Sequence, residues 1–398
     1  MFKNLINKKY IIYGSSIVLT RGLEYLVLLF AAHYLLKEDY GELEYYKKII
    51  EVGSSVFAFG FPMLIINYTK SKESKKFFFL LSVLFVLSMG LITLLSFWTF
   101  SVSFLIIPFL FYAIFFNGGI TPAFLLVYNG SNRASIYKII ISILFYTTVL
   151  ISIYFFNIKG MAYVYVNYVL FPIFILYIAS IFIKQKIILN KVKTYWKLFK
   201  KLLLSSFTLV ISNFANLMFL YTDIFIIKFL SDNANIEIAN YSFALNIANI
   251  LLIIPLTLVQ VDIEKLKNNI NYVSELNKKI LVLVFTTTLG LICFFIILTN
   301  LFFNDYKNIF IVFLIILSAK IIQSFSPLYG SMLIIKRKFK TNLLINLSAL
   351  FINILLSYIL YSTFSIQGIA IASVISLLIR QLMLYKFYLV GINVKKEF

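Results

Sequence analysis

Apolar runs of roughly 20 residues recur from one end of this chain to the other, the length a helix needs to cross the hydrocarbon core of a bilayer. A water-soluble fold could not hide them. Of the 398 residues, 62% are hydrophobic and 13% charged, against roughly half and a quarter in soluble domains. Strands of a membrane barrel alternate apolar and polar residues, and stretches such as 77–87 do not alternate. The pattern predicts an all-α integral membrane protein with twelve transmembrane helices, near 10–32, 46–67, 77–99, 102–127, 137–157, 161–183, 202–227, 237–260, 280–301, 308–334, 342–361 and 366–388.

The formal net charge of +21 would point to nucleic acid in a soluble protein. Here loops between spans carry it, so the partner is an anionic lipid surface and not nucleic acid. With the N-terminus inside, the inner segments hold most of the cations, among them Lys70 to Lys76, Lys184 to Lys201 and Lys336 to Lys340. The outer loops hold only Lys37, Lys47, Lys48, Lys159, Lys228 and Lys307. That alternation predicts an even number of crossings and both termini in the cytoplasm. Lys3, Lys8 and Lys9 precede an apolar run interrupted by Arg21 and Glu24, which reads as a retained first helix.

Cys293 is the only cysteine and His33 the only histidine, which excludes an internal disulfide and a His/Cys metal centre. There is no P-loop and no nucleophile elbow. The expectation is therefore a transporter and not an enzyme, with no cofactor, driven by an ion gradient, the membrane potential or the substrate gradient. Glu24 and Asp223 are the candidates for proton or sodium coupling.

A basic stretch, 185–201, divides the chain into an N-terminal bundle, 1–184, and a C-terminal bundle, 202–398, of six helices each. Tyr195, Trp196 and Phe199 among its lysines suit either an interfacial helix or a plain connector. The halves share a loose pattern. Ile158 to Ala162 opens the sixth span as Ile366 to Ala370 opens the twelfth, and Pro62 and Pro255 lie late in the second and eighth. An even number of crossings per half makes this a parallel repeat, the arrangement in which transporters place substrate between repeats.

Ionisable groups deep in a span cost roughly 2.5–3.5 kcal/mol each and mark interior or functional surfaces. Arg21 and Glu24 share a face of the first helix, and the pair reads either as a cation offered to substrate or as a structural ion pair. Ser205, Ser212, Asn216 and Asp223 stripe the seventh helix, and Ser242, Asn246 and Asn249 the eighth. Lys320 lies midway along the tenth, and Arg380 in the twelfth is close enough to the inner face to snorkel. The expected substrate-lining set is Arg21, Glu24, Asn216, Asp223, Asn246, Asn249, Lys320 and Arg380. A cationic lumen suits an anionic cargo such as a pyrophosphate, and the amides and hydroxyls suit sugars. The third and ninth spans read as lipid-facing.

Several stretches carry a family resemblance: Lys9 to Glu24, Leu35 to Glu44 with Tyr40-Gly41, Tyr221-Thr222-Asp223, Tyr241-Ser242 with Pro255, and Asn353 through Gly368 to Ser376. In these the sequence resembles the Wzx-type polysaccharide flippases of the multidrug/oligosaccharidyl-lipid/polysaccharide exporter superfamily. The resemblance implies a MATE-like fold of two six-helix bundles and alternating access. It implies an undecaprenyl-pyrophosphate-linked oligosaccharide as cargo, flipped outward across a bacterial inner membrane for O-antigen or capsule synthesis, with a polymerase and a chain-length regulator as pathway partners. The competing readings are an ion-coupled multidrug-type antiporter on the same fold and an O-antigen polymerase. The short outer loops count against the polymerase.

Overall fold

The computed structural model describes residues 8–67, 71–97, 103–184, 192–262, 265, 266, 269, 272–336 and 338–393, and among them every regular element is helical. In chain order these are α1 (Lys8–Tyr34), α2 (Lys37–Phe57), α3 (Phe61–Asn67), α4 (Lys72–Ser96), α5 (Ile106–Ile114), α6 (Ile120–Tyr128) and α7 (Ser131–Tyr154). They continue with α8 (Ala162–Lys184), α9 (Val192–Leu230), α10 (Ala234–Val261), α11 (Tyr272–Leu301), α12 (Phe310–Gln323), α13 (Ser326–Ile335) and α14 (Phe339–Asn393).

Three expected spans are each broken in two. The second divides into α2 and α3 across Ala58–Gly60, where Phe59 (φ 48) and Gly60 (φ 67) take left-handed conformations that end a helix. The fourth divides into α5 and α6 across residues 115–119. The tenth divides into α12 and α13 just before Pro327, which the first turn of a helix tolerates and a helix interior does not. The last two expected spans are the arms of α14, 339–364 and 366–393, on either side of Ser365 (φ 52).

Among the described residues, seven stretches have the length and hydropathy to cross a bilayer. The final one, Lys340–Leu389, is 50 residues long, about 75 Å of helix against a core of about 30 Å. It is long enough to cross twice. The expected linker enters α9 at Val192, so Tyr195, Trp196 and Phe199 lie on the opening turns of a 39-residue helix. Residues 185–191 lie outside the described ones.

The chain forms two compact units. The first comprises residues 1–27 and 46–217, the second 28–45 and 218–398. In the first, α6 packs on α3, α4 and α7, and α8 on α5 and α7. Its core is aromatic: Phe79 stacks on Phe124 with centroids 4.2 Å apart, and Phe61 meets Phe78, Phe85 and Phe199. Each such contact adds about 0.5–1.5 kcal/mol to simple burial. In the second unit α12 packs against α10 and α14. There Ala319 and Ala349 let helices close around Phe219 and Leu377. The expectation of lipid-facing third and ninth spans holds best for α11, where 22% of the apolar window is buried. α4 buries one full face, including Phe77, Phe78, Phe79, Val83 and Val86.

Candidate functional site

α1 and α2 run antiparallel from the turn between Tyr34 and Lys37. Glu24 lies ten residues before that turn and Lys47 ten after it, about 15 Å down each helix. Lys47 Nζ approaches Glu24 Oε1 to 2.6 Å and Glu51 to 3.6 Å, and Arg21 donates to Glu24 Oε2 at 2.7 Å. The Lys47 side chain is only 2% exposed, whereas that of Arg21 is 55% exposed. Two carboxylates and two cations thus neutralise one another inside the first unit. The sequence places Lys47 and Lys48 in an outer loop, but both are buried along α2. Their spacing from Glu44 and Glu51, three and four residues, is the signal that would have placed them on a helix face.

The second unit holds a denser network. Asp223, on α9, accepts from Tyr241 on α10 and, on α14, from Asn353 Nδ2 at 3.0 Å and Ser373 Oγ at 2.7 Å. Lys320 on α12 contributes electrostatically to the same carboxylate and donates to Gln323 Oε1 at 3.0 Å. Asp223, Tyr241, Lys320, Gln323 and Ser373 line a common cavity of about 10 Å³. That is room for about one water molecule, and far too little for a sugar ring. The arrangement can hold or exchange a proton or a small cation. Three of the stretches that carried the resemblance, 221–223, 241–242 and 353–376, therefore converge on one carboxylate.

Asn246 does not join that cavity. Its amide donates to Glu44 Oε1 at 2.7 Å and to Tyr40 Oη at 3.2 Å. Glu44, fully buried, is an acid the sequence reading left outside the spans. Arg380 does not snorkel: it is buried, donates through Nε to Asn346 Oδ1 at 3.0 Å, and stacks 5.1 Å from the centroid of Phe219, itself a wall of the small cavity. Asn249 is half-buried on α10. The Ser205, Ser212 and Asn216 side chains lie outside the described ones. Among the described residues no cluster of His, Cys, Asp and Glu could hold a metal ion.

Seven stretches long and apolar enough to cross a bilayer, with charge buried among the helices, define a multi-pass membrane protein. The fold is that of the MATE transporters. An outward-facing multidrug resistance MATE family transporter of the MOP superfamily superposes with a TM-score of 0.62 at 14% identity, covering 98% of this chain and 96% of that one. The lipid II flippase MurJ, in an inward closed conformation, gives 0.61 at 15%, covering 94% and 86%. The Vibrio cholerae MATE transporter VcmN, in a mutant form, gives 0.57 at 10%, covering 97% and 96%. A comparison with curated proteins finds no match. The family model described as polysaccharide biosynthesis protein matches residues 6–263, and the chain belongs to that family.

Proposed function

We propose that this protein is a flippase for undecaprenyl-pyrophosphate-linked oligosaccharide repeat units. On this reading it carries them from the cytoplasmic to the outer leaflet of a bacterial inner membrane by alternating access. The reading includes twelve crossings in two six-helix bundles with both termini cytoplasmic. Membership of the polysaccharide biosynthesis family is the observation that carries it. The MATE-like fold and the lysine-rich segments assigned to the inner face support it.

The driving step is assigned to the two buried carboxylates. Glu24 and Asp223 each sit opposite a buried lysine, so adding a proton or a small cation changes the net charge of a closed network. Neutralising Asp223 weakens the hydrogen bonds that tie α9 to α10 and to both arms of α14. That gives the second unit a local switch of the kind alternating access needs. Of the expected cations, Arg21 is more than half exposed and supplies cationic character for a pyrophosphate.

The test is a null strain with no rescuing homologue. Lipid-linked repeat units should accumulate on the cytoplasmic leaflet. Their normal arrival on the outer face would reject the proposal, and cation-driven dye efflux by the purified protein in vesicles would favour a small-molecule antiporter.

A further inference from the structure

A second and much larger cavity, about 500 Å³, opens on the first unit between α6, α7 and α8, within the range of small-molecule sites. Its shaft is apolar. Ile136, Ile140 and Leu144 recur at helical spacing along α7, and Ile173 and Phe174 face them from α8. Pro172, immediately before Ile173, sits inside α8. A proline there removes one backbone hydrogen bond of the helix that walls the groove.

Besides the Tyr137 and Tyr177 rings, the groove's polar lining lies at one end. Arg133 and Asn129 line it where α6 gives way to α7. Arg133 is exposed, and among the described residues no carboxylate pairs with it. Two further cations lie against the same end of α6: Lys75 donates to the Val127 carbonyl at 3.5 Å, and Lys76 lies 5.4 Å from the Tyr128 ring centroid. From Arg133 to Leu144 is about 16 Å of helix, half the thickness of a hydrocarbon core of about 30 Å. The groove therefore has one leaflet's depth, a cationic mouth at headgroup level and a single apolar shaft.

We infer that this groove binds a single-chain lipid phosphate of the polyprenyl type, with its phosphate at Arg133 and Asn129 and its chain along Ile136, Ile140 and Leu144. The inference rests on the lipid-linked cargo proposed above. Two features select this occupant over a membrane phospholipid. There is one shaft, where a phospholipid brings two chains, and Arg133 lines its mouth with Lys75 and Lys76 against the same end of α6, which suits a terminal phosphate. The groove would hold the tail of the cargo apart from the charged networks around Glu24 and Asp223.

Native mass spectrometry of the purified full-length protein tests this, titrating undecaprenyl phosphate, undecaprenol and dioleoyl phosphatidylglycerol separately. One undecaprenyl phosphate per chain is expected, bound roughly tenfold more tightly than the alcohol because charge-assisted bonds to phosphate are lost. Arg133→Gln should weaken it by a similar factor, and Ile140→Trp, which fills the shaft, should displace it. Ile151→Trp, on the exposed side of α7 and outside the groove, should change nothing. All three sites face outward, so each variant should keep the native elution profile. Equal binding of phosphatidylglycerol, or undiminished binding in Ile140→Trp, would overturn the inference. Binding is read without export, so an Arg133-dependent complex in a protein that exports nothing would sink the flippase reading and leave the groove standing. Intact export without a complex would do the opposite.

Discussion

Lys47 Nζ stands 2.6 Å from Glu24 Oε1, and both side chains are almost entirely shielded. The same carboxylate meets Arg21 at 2.7 Å, yet the arginine side chain is more than half exposed. Glu24 thus has two cations at nearly equal distance in very different surroundings. The Coulomb attraction is strongest where the dielectric is lowest, so the lysine and not the arginine holds the first unit's charge balance.

Lys47→Met should therefore destabilise the protein by about 3–5 kcal/mol, the penalty of stranding a buried charge. Arg21→Gln should cost no more than about 1 kcal/mol, as for exposed pairs. Denaturation of the purified protein in detergent separates the two. The double variant Glu24→Gln/Lys47→Met should recover much of the loss, since the network's most deeply buried carboxylate no longer carries a charge without its lysine; Glu51 and Arg21, which also lose a partner, are more exposed. A double variant no better than Lys47→Met would mean that packing, not charge, explains the effect.

Glu44 gives an independent test in the second unit. Asn246 donates to it at 2.7 Å in a buried setting. Asn246→Leu removes that donor and should cost about 1–3 kcal/mol, the penalty of leaving a buried acceptor without it. Adding Glu44→Gln to Asn246→Leu should lower the cost. An additive loss in the thermal melts of the single and double variants would show that the two residues are not coupled.

Gly41 follows the tyrosine of the Tyr40-Gly41 pair for a steric reason. A Cβ built there would lie 1.7 Å from the backbone carbonyl oxygen of Asn235. Backbone cannot yield as a side-chain tip can, so Gly41→Ala should destabilise by about 1–3 kcal/mol or more. Gly22 has nothing within 4 Å of such a Cβ, and Gly22→Ala should be tolerated. Yield and melting temperature of the two variants would distinguish them.

The seven stretches able to cross a bilayer fall on expected spans because hydropathy alone reports them. The break at residues 58–60 was not legible in the sequence, because the segment is apolar and only backbone conformation divides it, whereas the break at 324–325 sits beside Pro327, whose effect on the span hydropathy does not report. Asp223 and Lys320 stood out in the sequence as charges in apolar surroundings. Tyr241 and Asn353 entered only through the family resemblance and Ser373 was not singled out, although all three hold the carboxylate. Neutral polar residues are common in membrane helices, and which of them meet depends on how the helices cross. Lys47 and Glu44 were misplaced because charge at the start of α2 mimics a loop, while their true environment comes from pairing with groups distant in sequence.

Asp223 and Lys320 make the sharpest functional test. Asp223→Asn keeps the side-chain shape but removes the charge on which the bonds from Tyr241, Asn353 and Ser373 converge. Bonds to a charged group are worth about 1.5–3 kcal/mol each, and roughly 1.4 kcal/mol is a factor of ten. The fold should survive, because neutral partners still hydrogen-bond, while export of lipid-linked repeat units falls by at least tenfold and loses its dependence on an imposed pH or sodium gradient. Lys320→Met leaves the carboxylate without its cation and should cost both export and stability. Arg21→Gln should reduce export less than either, because its guanidinium is largely exposed and Lys47 already neutralises Glu24. Equal loss from Arg21→Gln and Lys320→Met, at equal expression, would move the essential cation to the first unit. Full gradient-dependent export by Asp223→Asn would remove Asp223 from the coupling step.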